Sequence, residues 1–222
     1  MQPPSIVNGS DRRPAIPDEV LGPRVIAIGR RLDPSRLAEV TAALREGGVR
    51  AFELTLDAPE AIEAIARLAA SGVARGLLIG AGTVLDVPAA ERAIDAGASF
   101  LVSPHTDPAI VEWAAARDIP CFPGGLTPTE ILLAWRAGAA GVKLFPASAV
   151  GPSFVREVRG PLREIPFIPT GGVTAESAAE YVRAGAVAVG LGSWLTGSGE
   201  PALVAERARQ VVAALAEVER PA

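Results

Sequence analysis

Eight short apolar segments recur along the chain, and stretches with the pattern of amphipathic helices lie between them. The segments are RVIAIG (24–29), AFELTL (51–56), LLIGAGT (77–83), FLVSP (100–104), PCFPG (120–124), GVKLFP (141–146), FIPTGG (167–172) and AVAVGLGS (186–193). Their starts lie roughly 19 to 27 residues apart, which leaves room for one strand, one helix and two loops in each unit. Eight such units predict a closed (β/α)8 TIM barrel of the α/β class, and a doubly wound open sheet is the alternative.

The length of the chain fits one large domain, because single α/β barrels commonly have about this size. The first stretch, MQPPSIVNGSDRRPAI, is rich in proline and arginine. We therefore expect a flexible N-terminal arm over residues 1–16 and a single barrel domain over residues 17–222. Within that domain, four helical stretches begin with residues suited to cap a helix, namely Asp33, Asp57, Thr127 and Thr174.

The net charge and the lengths of the apolar stretches argue against two classes of partner, nucleic acids and membranes. The formal net charge is -4, whereas proteins that bind nucleic acids or membrane surfaces usually carry a basic patch. Neither the N-terminus nor any later stretch has the apolar length of a signal peptide or a membrane span. We therefore expect a cytoplasmic protein without nucleic-acid or membrane partners.

The chain holds one histidine, His105, and one cysteine, Cys121. A metal-dependent lyase needs several histidine or carboxylate ligands that converge, so we expect no metal and no cofactor. His105 is expected in a loop near the mouth of the barrel. Cys121 has no cysteine partner for an intrachain disulfide, and we expect it to be a small buried side chain.

Lys143 is the only lysine in a chain that has 21 lysines and arginines together. It lies between Val142 and Leu144 in an apolar segment, where a surface charge would not normally occur. Burial lowers the pKa of a lysine because it disfavours the cation, and the free amine can attack a carbonyl carbon. Arginine cannot act in this way, because guanidinium stays protonated and forms no imine.

Alternation along the strands places Glu53 and Lys143 in the same interior. In a barrel, side chains point alternately toward the helices and toward the lumen. The apolar neighbours of both residues suit the helix layer, so Glu53, Lys143 and also Phe145 are expected to point inward. A structural ion pair is one interpretation, although buried pairs are costly to desolvate. The pattern favours a nucleophilic amine with a carboxylate for proton transfer.

Glycine-rich loops follow the last two predicted strands. IPTGGV (168–173) and GLGSW (190–194) stand where barrels often bind phosphate through backbone N–H groups and a helix N-terminus. Glycines let the backbone approach an anion closely, although paired glycines also serve ordinary turns. The residues that would receive the phosphate are Gly171, Gly172, Gly192 and Ser193.

Seven motifs, in order along the chain, resemble the 2-keto-3-deoxy-6-phosphogluconate (KDPG) and 4-hydroxy-2-oxoglutarate (KHG) aldolases. The motifs are FELTL, GAGTV, SPHTDP, PGGLTPTE, VKLFPAS, GPSFVREVRGP and IPTGGVT. The match runs from about Arg24 to Ser193, and GVKLFPA followed by PTGG is its most specific part. The resemblance implies a metal-free class I aldolase on a (β/α)8 barrel, assembled as a homotrimer. It also implies cleavage of KDPG to pyruvate and glyceraldehyde 3-phosphate, and of KHG to pyruvate and glyoxylate.

The resemblance further implies roles for individual residues. Lys143 would form the Schiff base, and Glu53 would act as the acid and base. The residues that would bind the keto-acid part are Arg30 and Thr83, for the carboxylate, and Pro104 and Phe145, for the pocket wall. The residues that would bind the phosphate are Thr170, Gly171, Gly172, Gly192 and Ser193.

One position departs from the family pattern. Many members have an arginine two residues after the threonine of EVTLR, where it docks the carboxylate, but here the stretch is ELTLD and the position is Asp57. Other members carry an arginine at the end of the first strand, and Arg30 in AIGRR fits that pattern. The sequence leaves open which cation binds the carboxylate.

Three other functions stay open from the sequence. The substrate could be the galactonate-derived isomer of KDPG (KDPGal), which differs in configuration at the carbon whose bond is cleaved. A phosphosugar epimerase, isomerase or synthase would share the glycine loops but would not need Lys143 beside Glu53. A catalytically idle barrel that binds a sugar phosphate as a sensor is the third alternative.

Overall fold

Parallel strands alternate with helices along residues 13–219, the part of the chain that the computed structural model describes. The strands are β1 Val25–Gly29, β2 Ala51–Thr55, β3 Leu78–Gly82, β4 Leu101–Val102, β5 Cys121–Phe122, β6 Gly124–Gly125, β7 Val142–Leu144, β8 Phe167–Pro169 and β9 Val189–Leu191. The α-helices are α1 Asp18–Leu21, α2 Leu37–Glu46, α3 Ala61–Ala70, α4 Val87–Asp95, α5 Pro108–Ala115, α6 Pro128–Arg136, α7 Gly151–Arg159, α8 Ala175–Arg183, α9 Ser193–Thr196 and α10 Pro201–Ala216. Each segment predicted as a strand contains at least one.

The strands form two parallel sheets. One has the order β5–β4–β3–β2–β1–β9, and the other has the order β6–β7–β8. Only Pro123 separates β5 from β6, so the fifth predicted segment is split where proline can donate no ladder hydrogen bond. Beside β8 and β9, the Val187 N–H donates to the Phe167 carbonyl at 3.0 Å, and Thr170 pairs with Gly190 in a parallel bridge. The α/β class with parallel strands is confirmed.

Two apolar clusters lie on opposite faces of the strands. The outer cluster joins the strands to the helices and includes Phe52 and Leu54. The buried members of the inner cluster are Val20, Ile26, Ala51, Phe100, Val102, Phe122, Ala140, Ile168 and Ala188. Because side chains alternate along a strand, Glu53 between Phe52 and Leu54 belongs to the inner face.

Phe100 fills much of the inner cluster and needs a glycine on the neighbouring strand. A Cβ at Gly80 would lie 2.3 Å from Cζ of Phe100, so no larger residue fits at position 80 beside this ring. The rings of Phe100 and Phe122 pack edge to face, with centroids 6.0 Å apart. The first glycine of GAGTV therefore serves packing.

Two of the four predicted helix caps are confirmed. Thr127 and Thr174 cap α6 and α8, and in each case the third residue of the helix completes a capping box. Asp33 caps no helix, and that prediction is wrong. Its carboxylate instead accepts hydrogen bonds from the N–H and hydroxyl of Ser35, at 2.9 and 2.7 Å, and α2 begins only at Leu37. The aspartate forms a local turn in place of a cap.

Most of the predicted N-terminal arm, residues 1–12, lies outside the described residues. Arg13 donates hydrogen bonds to the carbonyl oxygens of Ala139 and Trp135, and its guanidinium carbon lies 3.3 Å from the centroid of the Trp135 ring. Ile16 packs against the inner cluster. Near the end of the predicted arm, Arg13 thus contacts the end of α6 and the segment that leads into β7.

The C-terminal helix α10 is tied to the first strand. Arg24, directly before β1, donates to the carbonyl oxygens of Leu215 and Val218 at 3.3 and 2.8 Å. A cation at the C-terminal end of a helix also interacts favourably with the helix dipole. Within residues 13–219, no helix has the length and apolar character needed to cross a membrane.

Candidate active site

Glu53 on β2 and Lys143 on β7 project into one pocket. Only 1% of Glu53 and 7% of Lys143 is exposed. Among the ion pairs of residues 13–219, none within 4.0 Å joins these two groups, although each charge acts on the other. The expected inward orientation of both side chains is confirmed.

The rest of the pocket wall is largely apolar. The pocket and its opening to solvent hold about 210 Å³ of atom-free space. The other lining residues are Ile26, Ile28, Val102, Phe122, Ile168, Thr170 and Gly190. Burial raises the pKa of Glu53 to about 6, while the charge of Lys143 opposes the rise. Burial lowers the pKa of Lys143, and the nearby Arg30 charge lowers it further, while Glu53 acts in the opposite direction. The environment therefore favours the neutral amine.

Gly82, at the end of β3, makes room for the Glu53 carboxylate. A Cβ at position 82 would lie 2.7 Å from Oε1 of Glu53. Both carboxylate oxygens are buried, and neither has a hydrogen-bond partner within the described residues. A buried carboxylate without partners is costly, so its presence suits a group that serves a ligand. This use of Gly82 was not predicted from the sequence, although strand alternation could have placed position 82 on the inner face.

Phe145 and Thr170 adjoin the lysine. The Nζ of Lys143 lies 4.9 Å from the centroid of the Phe145 ring. Thr170 lines the pocket and donates its hydroxyl to the Ile168 carbonyl at 3.1 Å. A Cβ at Gly190 would lie 2.3 Å from the Thr170 hydroxyl oxygen, so this glycine is needed for the threonine to fit. Thr170 thus lies in the pocket of Lys143, directly before the first glycine loop.

Arg30 contacts Asp57 at the ends of β1 and β2. Its Nε and Nη2 both lie 3.1 Å from Oδ2 of Asp57, and Nε of Arg31 lies 3.3 Å from the same oxygen. Asp57 does not cap α3, which begins at Ala61, so that predicted cap is wrong because the carboxylate pairs with two arginines. Burial alone would raise the pKa of Asp57, but the Thr55 hydroxyl and the Arg30 guanidinium outweigh burial and lower it.

Thr83 directly follows β3, and Pro104 lies two residues after the end of β4. Thr83 has a φ of 57°, a left-handed conformation that costs about 1–3 kcal/mol for a residue other than glycine. Such strain is concentrated at functional sites. Pro104 packs closely on the next strand, since a Cβ at Gly124 would lie 2.4 Å from its carbonyl oxygen. Both residues stand at the carboxyl ends of the strands, where α/β barrels bind ligands.

The two glycine loops adjoin each other through the bridge beside β8 and β9. Gly171 and Gly172 have φ values of 96° and 72°, which favour glycine. Gly192 directly precedes the short helix α9, whose first residue is Ser193. In the part of the chain that the structure describes, the N–H groups of Gly171, Gly172 and Ser193 donate no hydrogen bond to protein. Free N–H groups on adjoining loops can bind an anion.

His105 and Cys121 are not among the residues that line the pocket. His105 is exposed, and its Nδ1 lies 2.9 Å from the hydroxyl oxygen of Ser103. Cys121 is buried, and burial raises the pKa of its thiol to about 12. Among residues 13–219, no group of three or more histidine, cysteine or acidic side chains is placed to hold a metal ion. The titratable groups that line the pocket are the amine and the carboxylate.

A larger cavity of about 350 Å³ lies on the outer side of β1 and β2, against α2 and α3. Most of its lining is apolar, with Arg31 and Glu60 among the lining residues. Neither Lys143 nor Glu53 borders it. The smaller pocket is therefore the candidate active site, because it contains both reactive groups.

Comparison with known proteins agrees with this geometry. Residues 19–211 match the family described as "Aldolase: KDPG and KHG aldolase". A protein from Rhizobium meliloti (strain 1021) named "Probable 2-dehydro-3-deoxy-6-phosphogalactonate aldolase" is 41% identical over 172 residues, which are 77% of this chain and 81% of that protein. A 2-dehydro-3-deoxy-phosphogluconate aldolase from Pseudomonas aeruginosa is 39% identical over 172 residues, 77% of this chain and 76% of that protein.

A solved structure described as native KDPGal has a TM-score of 0.83 and 31% sequence identity to this chain. The match covers 87% of this chain and 95% of that structure. The family expected from the sequence is confirmed: the chain belongs to the KDPG and KHG aldolases, a family of carbon–carbon lyases.

Proposed function

We propose that the protein is a class I aldolase that cleaves KDPG to pyruvate and glyceraldehyde 3-phosphate through a Schiff base on Lys143. The observation that carries the proposal is one buried amine, Lys143, in the same apolar pocket as one buried carboxylate, Glu53. KHG would be cleaved to pyruvate and glyoxylate by the same steps, because the reacting carbons of the two keto acids are alike.

The first step is attack of the neutral Lys143 amine on the C2 ketone of the substrate. Loss of one water molecule from the adduct gives an iminium. The apolar walls support this step because they disfavour the ammonium form of the lysine. The positive iminium then withdraws electrons from the bond between C3 and C4, which is the electron withdrawal that a metal would supply in other aldolases.

Glu53 then moves the protons. Its carboxylate takes the proton of the C4 hydroxyl, directly or through a water, while the C3–C4 bond breaks and its electron pair forms an enamine. The former C4 leaves as the carbon of an aldehyde. Glu53 returns the proton to C3, and water hydrolyses the iminium to release pyruvate and the free amine. A pKa of about 6 suits a group that both accepts and returns a proton.

Residues around the pocket would hold the two ends of the substrate. Arg30 and Thr83, at the ends of β1 and β3, would bind the carboxylate, and Pro104 and Phe145 would form the wall. The free N–H groups of the two glycine loops support a phosphate site. The residues proposed for it are Thr170, Gly171, Gly172, Gly192 and Ser193.

We further propose that the two sheets form one closed (β/α)8 barrel. Two contacts support closure: β5 and β6 are separated only by Pro123, and Thr170 pairs with Gly190 beside β8 and β9. Catalysis at the carboxyl ends of the strands would then follow the general rule for such barrels. A homotrimer stays a prediction from the family resemblance, and a cytoplasmic location stays a prediction from the apolar pattern of the sequence.

The test is pyruvate release from KDPG, KDPGal and KHG, measured with lactate dehydrogenase as the coupling enzyme. We expect turnover of KDPG by the wild-type protein and almost none by Lys143→Arg, because guanidinium keeps the charge but forms no imine. Both the 41% identical relative and the solved structure are named for the galactonate-derived substrate, so KDPGal is the second candidate. A higher kcat/KM with KDPGal would assign that substrate, and a folded protein that releases pyruvate from none of the three would refute the aldolase proposal.

A further inference from the structure

Arg30 and Arg31 converge on a single oxygen at the mouth of the site. Both arginines are mostly exposed, with 64% and 71% of their side chains accessible, whereas only 17% of the Asp57 side chain is accessible. The second oxygen of Asp57, Oδ1, is buried and has no hydrogen-bond partner among residues 13–219. A partly buried carboxylate thus anchors two exposed cations, and no helix begins at it.

The contact with Asp57 occupies one edge of the Arg30 guanidinium. The Nε–H donates to Oδ2, and Nη2 lies within ion-pair distance of the same oxygen. Guanidinium has five N–H donors in a planar fork. The edge formed by Nη1 and the outer hydrogen of Nη2 contacts no acceptor among the described residues. That edge has the geometry that receives a carboxylate with two parallel hydrogen bonds.

Surface ion pairs contribute little to stability, so stability alone gives little reason for two arginines on one carboxylate. The position of the pair is more informative. Arg30 follows β1 and Asp57 follows β2, the strand that carries Glu53. The Arg30 charge also lies close enough to act on Lys143 in the pocket.

We propose that Asp57 is a positioning residue that holds Arg30 by its Nε edge, so that the opposite edge faces the carboxylate of the keto acid bound at Lys143. This inference rests on the proposed function. It also gives a role to the position where many relatives have arginine: the cation comes from β1, and the residue after β2 orients it. Arg31 shares the oxygen but is not required for the contact.

The test measures how much keto acid is needed to trap Lys143 as a reduced imine with borohydride. Pyruvate is compared with methyl pyruvate, which has the same ketone but no carboxylate. We expect Asp57→Ala to raise the half-saturating concentration of pyruvate about tenfold, the loss expected for a charge-assisted contact, and to leave that of methyl pyruvate unchanged. The half-saturating pyruvate concentration of Asp57→Asn should lie between those of the wild type and Asp57→Ala, because the amide oxygen can still accept a hydrogen bond from Arg30.

Two controls separate positioning from a structural effect. Glu46→Ala removes an exposed carboxylate that pairs with Arg209 at 2.9 Å, away from the pocket, and it should match the wild-type protein. Arg30→Ala should weaken pyruvate trapping by itself. If Asp57 acts through Arg30, the double variant should need the same pyruvate concentration as Arg30→Ala alone.

Several results would overturn the inference. Equal half-saturation in Asp57→Ala and wild type would show that Asp57 does not orient Arg30, and tighter pyruvate binding would show that it competes with the substrate. Equal losses for pyruvate and methyl pyruvate would show a general structural effect. Circular dichroism verifies folding, and Asp57→Asn carries the test if the alanine variant does not fold. Absence of trapping in the wild type would instead contradict the proposed function.

Discussion

The carboxylate of Glu53 lies over Gly82 of the neighbouring strand, so close that a Cβ at position 82 would stand 2.7 Å from Oε1. The two residues belong to β2 and β3, which pair in parallel. The absence of a side chain at position 82 thus sets where the Glu53 carboxylate can lie. This contact offers a way to move the carboxylate without changing its chemistry.

Gly82→Ala should lower kcat about 10- to 100-fold, because a shift of the reacting group by about 1 Å can cost that much. Stability should change little, since the displaced atoms are at the end of a flexible side chain. Steady-state kinetics and thermal unfolding measure the two effects. Gly72→Ala is the matched control, because a Cβ there meets no atom of residues 13–219 within 4 Å. Wild-type kcat in Gly82→Ala would show that the position of Glu53 is not critical.

The cleavage rate should fall as the pH drops below about 6. Burial raises the pKa of Glu53 to about 6, and only its ionised form can take the C4 hydroxyl proton. Protonation of Lys143 at low pH acts in the same direction, because the cation cannot attack the ketone. The measurement is kcat/KM for KDPG between pH 4.5 and 8, and the residual activity of Glu53→Gln separates the two groups. If kcat/KM of Glu53→Gln falls near pH 6 in the same way as that of the wild-type protein, Glu53 is not the group that causes the fall.

Glu53→Gln should make the protein more stable at pH 8. The folded state raises the pKa of Glu53 from 4.5 to about 6, so it holds the proton more tightly than the unfolded state does. The stability that this proton contributes is fully present below pH 4.5 and is lost as the pH rises through about 6. A pKa difference of this size corresponds to about 2 kcal/mol of stability. Gln cannot ionise and does not incur this loss.

The free energy of unfolding of the two proteins, measured in urea at pH 8 and pH 5, tests this sign. The advantage of Glu53→Gln should be near 2 kcal/mol at pH 8 and smaller at pH 5. Lys143 titrates in both proteins, so the comparison isolates most of the Glu53 effect. A variant that is less stable than wild type at pH 8 would mean that the carboxylate stabilises the fold.

Tyr181→Phe should lower the free energy of unfolding by about 1 kcal/mol. The buried Tyr181 hydroxyl on α8 donates to the Ala147 carbonyl at 2.9 Å, and Ala147 lies in the turn that follows Lys143 and Phe145. The substitution removes this hydrogen bond and keeps the ring. Urea unfolding measures the loss, and an unchanged midpoint and slope would show that the bond contributes nothing net.

The alternation of apolar and charged residues along the strands was sufficient to predict that Glu53 and Lys143 point to the inner face. Strand alternation alone predicts the orientation of Glu53 and Lys143. Their apolar neighbours pack against the helices, so these two side chains must point to the opposite face. The threonine caps at 127 and 174 were predictable for a similar reason, since their hydrogen bonds stay within four residues. These features depend on interactions between residues that are close in the sequence, so the sequence is enough to predict them.

Contacts between distant segments were not predictable in this way. Asp57 looked like a cap, but Arg30 and Arg31 compete for its carboxylate, and the sequence does not show that they are near it. The space that Gly82 leaves for Glu53 likewise depends on the pairing of two strands. The break at Pro123 could have been inferred, because proline rarely continues a central strand.

The proposed mechanism requires that the single lysine react covalently with a keto acid, and borohydride trapping with pyruvate detects that bond itself. Intact mass should rise by one pyruvate less one water plus two hydrogens, and peptide mapping should place the adduct on Lys143, with activity lost in proportion. Lys143→Arg should gain no adduct at that position. A fully active wild-type protein of unchanged mass after this treatment would contradict the Schiff-base mechanism.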